Sequence, residues 1–473
     1  MNDSNRVNEL GYASTPLSYN ITSARLYSNV INPRKKYNID IKALLAVIEG
    51  IESIHSPAVE YIIKLGDTFN ILEQLKITGG ERIEIKIERR RENKTYKHTL
   101  NVYIAEIVNF KRSGTSMSTY TFKCYSEHIQ NESVSILKRS FKGTPGDLIG
   151  KICRGDLAVA THYIQPGGGI LQGIYPRLRP LHAIFWIMRN TFDNGTPFFF
   201  YETVSNGIQY RSYKNMLDNN VHDTYYYKSF MKESKGSSAG YEEERTMVTD
   251  ISSPNYGMAK GIDSSRGAFA STLHKVDISN KSYEKIVFDS EKNELMRLNP
   301  YKPYTNNDRT KVLDRYRNEH KDAKSFFINS NMHAFKDNNY YSGTDIQLNK
   351  GIAHLENLNF QTQQITIPGD FDIEVGNKIK LIVYRNKEET EGAGIDKAQS
   401  GTYIITKIIH TFDDNYSQEL TIQKDSSRIN YETSRWSIRR WRLCMVHRRS
   451  RRYKWHRVFK PCKGQSLWLP FGR

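Results

Sequence analysis

Ser271, His274 and Asp277 lie together in the stretch STLHKVD. Nucleophile, base and orienting acid are the residue types of acyl-transfer hydrolysis, in which the imidazole takes the hydroxyl proton. Such a triad is assembled by folding rather than by closeness along the chain, so STLHKVD is read as coincidence. Cys444, His447, His456 and Cys462 are chemically competent zinc ligands, but their spacing, C-x2-H-x8-H-x5-C, matches no common finger. GTPGDLIGKIC resembles a phosphate-binding loop, yet its glycine spacing fails and Ile follows Lys151. It reads instead as a helix start: Thr144 caps, Pro145 takes the first position, and Asp147 faces the positive end. NEHKD lacks the second His of a zincin, and the acidic clusters FDSEKNE and RNKEETEG read as solvated loops. No catalytic, cofactor-binding or metal-ligating residue is therefore expected, and the chain is not expected to be an enzyme.

The chain has 473 residues and a formal charge of +18. That charge is not spread evenly. Thirteen of the 69 Lys and Arg, and none of the 51 Asp and Glu, fall in 434–473, which leaves the rest near +5. The same segment holds four of the five Trp and two of the four Cys. A bare net charge suggests nucleic-acid binding; its distribution moves that suggestion into one terminal segment. No CxxC pair occurs, which argues for a reducing compartment and against a disulfide framework. The longest apolar runs, ALLAVIEGI and LHAIFWIM, fall well short of the ~20 residues of a membrane span. MNDSNRVNELGY has no apolar centre and is not read as a secretory signal.

The elements that would position any site are mostly strands. ERIEIKIE alternates strictly, with Ile83, Ile85 and Ile87 on one face. HTLNVYIAEI and STYTFKCYS repeat the pattern, the latter placing Tyr120, Phe122 and Cys124 on one face. Asp67 is placed to cap a short helix. RPLHAIFWIMRNTF predicts a buried helix from Pro180 with Trp186 as its bulkiest core residue. PFFFYETVSNGIQYRS predicts a hairpin turning at Asn206-Gly207. GAFASTLHKVDISNKSYEKIVFD predicts a helix or loop and then a strand pair. Pro368-Gly369-Asp370 and Gly376-Asn377 supply turns between later strands.

These patterns give a mainly β fold with α+β insertions: two antiparallel β-barrels plus smaller inserted domains. The expected division is a polar arm (1–36), a first barrel (37–128) and an intervening α+β domain (129–195). A second barrel (196–235 and 345–428) follows, interrupted by an inserted subdomain (236–344), and a basic Arg/Trp-rich tail (429–473) comes last.

Three segments in order resemble the central baseplate hub subunit of T-even-like contractile-tailed bacteriophages. They are GDTFNILEQLKITGGERIEIKI, RPLHAIFWIMRNTFDNGTPFFFYETVSNGIQYRS and ITIPGDFDIEVGNKIKLIV. The resemblance covers roughly 37–425. It implies two barrels akin to the tail-tube subunit and a homotrimer that adapts a threefold spike to a sixfold tube. It also implies a lumen for DNA passage during ejection, and a structural role without cofactor or catalytic residues. Implied partners are the cell-puncturing spike protein, a tail-tube or tube-initiator protein and neighbouring baseplate wedge proteins. The implied location is the virion baseplate, assembled in the bacterial host cytoplasm.

Two other functions stay open. One is a nucleic-acid-binding protein acting through the basic tail, where arginine contacts phosphate and tryptophan stacks on bases. The other is the hub of a related contractile injection or secretion system. A tail-associated enzyme has no motif behind it. The abrupt change after Ser434, from Ile, Lys, Asn and Tyr to Arg and Trp, reads as a frameshifted or disordered continuation.

Overall fold

The computed structural model describes residues 18–28, 38–75, 77–91, 94–113, 117–227, 245–255, 265–278, 281–290, 293–301, 324–329, 338–384 and 394–428. The tail candidates Cys444, His447, His456 and Cys462 lie outside them. The expected mainly β fold with α+β insertions is observed.

The first half is built from β1 (Asn20–Tyr27), β2 (Asn38–Asp40), β3 (Leu45–Ser53), β4 (Glu60–Asp67), β5 (Arg82–Arg91), β6 (Lys94–Ser113) and β7 (Met117–Tyr125). They pair antiparallel in the order β3-β4-β7-β6-β5-β1-β2. Ile83, Ile85 and Ile87 are fully buried in one core with Tyr120, Phe122 and Cys124. Each fully buried Ile contributes roughly 1.5–3 kcal/mol of transfer free energy. Asp67 accepts from Phe69 N and Ile71 N, both at 2.8 Å, and so starts helix α1 (Ile71–Leu75). β1 falls in the expected arm. Its Ala24 and Leu26 pair with Ile85 and Ile83, so this stretch belongs to the first core.

Next come α2 (Glu127–Val134), β8 (Ser140–Gly143), α3 (Pro145–Gly155), β9 (Thr161–Ile164), β10 (Leu171–Ile174), α4 (Pro180–Arg189), β11 (Phe192–Asp193), β12 (Thr196–Thr203), β13 (Gly207–Ser212) and α5 (Tyr213–Asp218). Thr144 caps α3 by accepting from Asp147 N, with Pro145 in the first turn. In α4 the fully buried residues are Ala183, Ile184 and Ile187, whereas Trp186 is only partly buried. Its large ring packs at the margin of the core, edge-on to Phe141 at 6.1 Å.

The hairpin β12–β13 was expected in the second barrel. It belongs instead to a separate four-stranded sheet, β11-β12-β13-β9, in which β9 runs parallel to β13. The reason is that both its faces are apolar. Phe198 and Phe200 enter the core of the intervening unit; Phe199 and Tyr201 enter the core of the second half. The hairpin is a partition between two cores.

The second half contains β14 (Val221–Tyr227) and β15 (Asp250–Asn255), then, after a small sheet, β19 to β22. The small sheet is β16 (Ala270–Asp277), β17 (Ser282–Asp289) and β18 (Ser325–Asn329). Helix α6 (Asn338–Leu358) leads into β19 (Gln361–Pro368), β20 (Lys378–Val383), β21 (Gly401–Phe412) and β22 (Tyr416–Lys424). β15 lies in the range expected for the inserted subdomain, yet it pairs with β19. β14 pairs parallel with β20, a departure from the antiparallel expectation.

The two halves are one 13-stranded sheet. Strand β21 joins them. One of its edges pairs with β22 from Ile404 to Phe412. Its other edge is divided: Gly401–Ile404 pairs with β20, and Lys407–Phe412 pairs with β3. The ladder shifts register between Ile405 and Lys407. There the Thr406 carbonyl accepts from Ile54 N at 3.0 Å, which marks the handover between halves.

Candidate functional site: a buried carboxylate clamp

The sequence candidates for chemistry do not assemble. Ser271 and His274 are three apart on β16, so strand alternation sends them to opposite faces. Ser271 is fully buried, while His274 stacks on Phe327 at 4.6 Å and on Tyr283 at 5.9 Å. Among the described residues no group of three or more His, Cys, Asp or Glu could hold a metal ion.

The structure gathers a different set: Glu52, Glu202 and Glu374, at the joint of the two halves and the hairpin. Glu52 is fully buried on β3. It accepts from Val204 N at 2.7 Å, in the hairpin loop, and from Val375 N at 3.2 Å, in the β19–β20 connection. Glu202, near the end of β12, accepts from Val59 N at 2.9 Å and Ser126 Oγ at 2.5 Å. Glu374 accepts from Gln209 Nε2 at 2.7 Å and from Asn206 Nδ2. Burial pushes the Glu202 carboxyl above its ordinary range, opposed by His128 and by its hydrogen bonds; burial likewise raises Glu374.

Two imidazoles face these carboxylates. His410 Nε2 lies 3.8 Å from Glu52, and His128 Nδ1 lies 3.8 Å from Glu202. His410 Nδ1 meets Tyr416 Oη at 2.9 Å, and Gln418 ties the same corner to Asp370 through bonds of 2.8 and 2.9 Å. Arg245 bridges Asp370 at 3.0 Å to Asp223 at 2.5 Å. The rings of Phe371, Phe412 and Tyr416 close the corner, Phe412 stacking on Tyr416 at 4.3 Å. At the far end of β22, Lys424 donates to Ala398 O at 2.7 Å and lies 4.8 Å over the Tyr403 ring. Burial lowers its pKa to about 7.

This arrangement binds chain to chain. Glu52 and Glu374 are buried and take their hydrogen bonds from protein donors, so their carboxylates are committed to holding segments together. A separate pocket of about 300 Å³ lies between α4, β12 and α6. Ile54, Phe185, Met188, Phe199 and Leu355 make it mostly apolar. Burial lowers the pKa of His55 at its wall.

Sequence reasoning passed over the three glutamates. The available signal was a glutamate flanked by apolar residues each time: Glu52 in GIESI, Glu202 in FFFYETV and Glu374 in FDIEVG. A carboxylate there must find buried donors or leave the core.

No protein-family model matches the chain, and no curated protein matches it. Solved structures are similar to it over most of its length. A tail protein from Neisseria meningitidis is 11% identical, with 86% of this chain and 97% of that one covered, at a TM-score of 0.48. The 43 kDa tail protein of prophage MuSo2 from Shewanella oneidensis is 9% identical, covering 86% and 98%, also at 0.48. An Escherichia coli component of the type VI secretion system is 10% identical, covering 82% and 75%, at 0.38. The geometry of this chain itself establishes a mainly β molecule whose joint is fastened by buried carboxylates.

Proposed function

We propose that the chain is a structural subunit of a phage tail baseplate hub, three copies of which close into a ring. The observation that carries this reading is the division of β21. It joins two sheet-wrapped cores into one continuous sheet, so three copies would present six sheet-built units. Such a ring meets a threefold spike on one side and a sixfold tube on the other, and closure leaves no free heterologous surface. The order of the three sequence segments supports the same reading, and so does a joint whose ionisable groups are spent on holding segments together. The ring would sit in the virion baseplate, contact the spike and tube proteins and leave a lumen for DNA.

The test is native mass spectrometry and electron microscopy of the chain, alone and co-expressed with the spike protein of the same tail. A trimer with six density lobes is expected. A monomer in both preparations at micromolar concentration would count against the ring.

A further inference from the structure

His128 on α2 is fully buried, and its Nε2 lies 3.1 Å from the Pro57 carbonyl. A carbonyl only accepts, so Nε2 must carry the hydrogen. In the neutral ring Nδ1 is then a bare lone pair. It is buried, has no hydrogen-bond partner, and faces Glu202 Oε1 at 3.8 Å. An ionised carboxylate also only accepts. His128 Nδ1 is shut off from water, so the two facing acceptors repel unless a proton lies between them.

We propose that His128 and Glu202 form a buried one-proton site that locks the β12–β13 hairpin to the first half, and that losing this proton releases the lock. Either Glu202 holds the proton and donates to Nδ1, or His128 holds it as imidazolium; the proton belongs to the pair. In both forms Glu202 Oε2 remains an acceptor for Val59 N and Ser126 Oγ. Without the proton, the carboxylate is pressed against a lone pair and is driven off Val59. His410 does not share this need. Its Nδ1 sits beside the donors Tyr416 Oη and Gln418 Nε2, so its neutral ring turns a hydrogen toward Glu52.

The groups around the pair favour keeping the proton. Glu52 on β3 and Glu132 on α2 add negative field, Glu132 itself accepting from Leu181 N at 2.8 Å. Tyr61 on β4 is buried beside Glu202 and Glu52. His182 and Arg179 face Glu132. The unfolded chain releases its histidine proton near pH ~6.5. Burial holds the Glu202 carboxyl above its ordinary range, so the pair's stabilisation is lost as pH rises through the folded value.

The test is amide hydrogen exchange on the full chain at pH 6 and pH 8.5, corrected for intrinsic rates. Protection at Val59 N–H is expected to fall about tenfold or more in the wild type, the worth of one hydrogen bond to a carboxylate. Glu202→Gln mimics the protonated pair, its amide donating to Nδ1 while its carbonyl accepts from Val59. It is expected to stay protected at both pH values. His128→Gln, which removes the bare nitrogen, is expected to flatten the profile as well. Equal wild-type protection at the two pH values overturns the proposal. So does the wild-type slope persisting in Glu202→Gln, or failure of Glu202→Gln to fold.

Discussion

Glu52 and Glu202 hold each other's segments. The β3 carboxylate accepts from Val204 N, just past β12, and the β12 carboxylate accepts from Val59 N, between β3 and β4. Each acid is thus the hydrogen-bond partner of a loop that the other acid's strand leads into. The exchange fastens the hairpin to the first half at two points, and Val375 N on Glu52 adds the second half as a third.

Removing Glu52 should expose how much the joint depends on it. Glu52→Ala leaves the partly buried Val204 N and the buried Val375 N without an acceptor. Each orphaned donor costs roughly 1–3 kcal/mol, so a loss of about 2–6 kcal/mol is expected in urea unfolding. Glu52→Gln keeps one carbonyl acceptor and should lose less than half as much. Equal losses for the two variants would mean that charge, rather than acceptance, is what the joint uses.

Gly369 makes a sharper test of the corner beside the clamp. A Cβ there would run into the Tyr416 ring, and Tyr416 is fully buried against Phe412 and Phe371. Gly369→Ala should cost about 1–3 kcal/mol or more as an overpacking change. Gly155→Ala, at the end of α3 with nothing within 4 Å, is the control and should stay within about 0.5 kcal/mol of the wild type. Thermal unfolding of the two variants decides.

Strict alternation made the first half legible: Ile83, Ile85 and Ile87 faced the core as their spacing demanded, and Asp67 and Thr144 capped as their positions suggested. β1 was not legible, because only Ala24 and Leu26 among its polar residues face inward. The hairpin was recognisable as a hairpin, but Phe198 to Tyr201 are apolar on both faces, and periodicity cannot say which core each face meets. The division of β21 between β20 and β3 is a choice of edges at long range, and GTYIITKIIHTF carries no local mark of it beyond its length. The clamp escaped notice for a related reason. A glutamate flanked by apolar residues announces a buried partner without naming it.

Lys424 gives a pH dependence with a fixed sign. Its folded value, about 7, lies below the ordinary 10.5. The folded chain therefore disfavours the charged amine. Its cost is absent above about pH 10.5, grows as pH falls through that range, and is constant below about pH 7. Lys424→Met keeps the length of the side chain and loses the bond to Ala398 O. It should be more stable than the wild type at pH 7 by roughly 3 kcal/mol, the desolvation relieved less one hydrogen bond. The gap should close by pH 10. Urea midpoints of both proteins at pH 7, 8.5 and 10 test this, and a gap that does not change with pH refutes it.

Deleting 434–473 should separate assembly from nucleic-acid binding. The described residues just ahead of that segment are tied into the body. Ser427 and Tyr301 exchange backbone bonds of 2.8 and 3.1 Å, and Asp425 accepts from Tyr213 Oη at 2.8 Å and Leu298 N at 3.0 Å. The truncated chain should therefore keep its thermal midpoint and its oligomeric state. It also sheds thirteen basic residues and no acid, bringing a charge of +18 down to near +5. Retardation of duplex DNA by the full chain should weaken steeply between 50 and 200 mM salt, as expected when several phosphates are neutralised, and should vanish on deletion. DNA binding that survives the deletion with the same salt slope would place a nucleic-acid surface on the body. Resequencing across codon 434, together with peptide mass mapping of protein from the native source, tests the frameshift reading: an acidic, Gly-rich continuation in place of the Arg/Trp segment is the expected result.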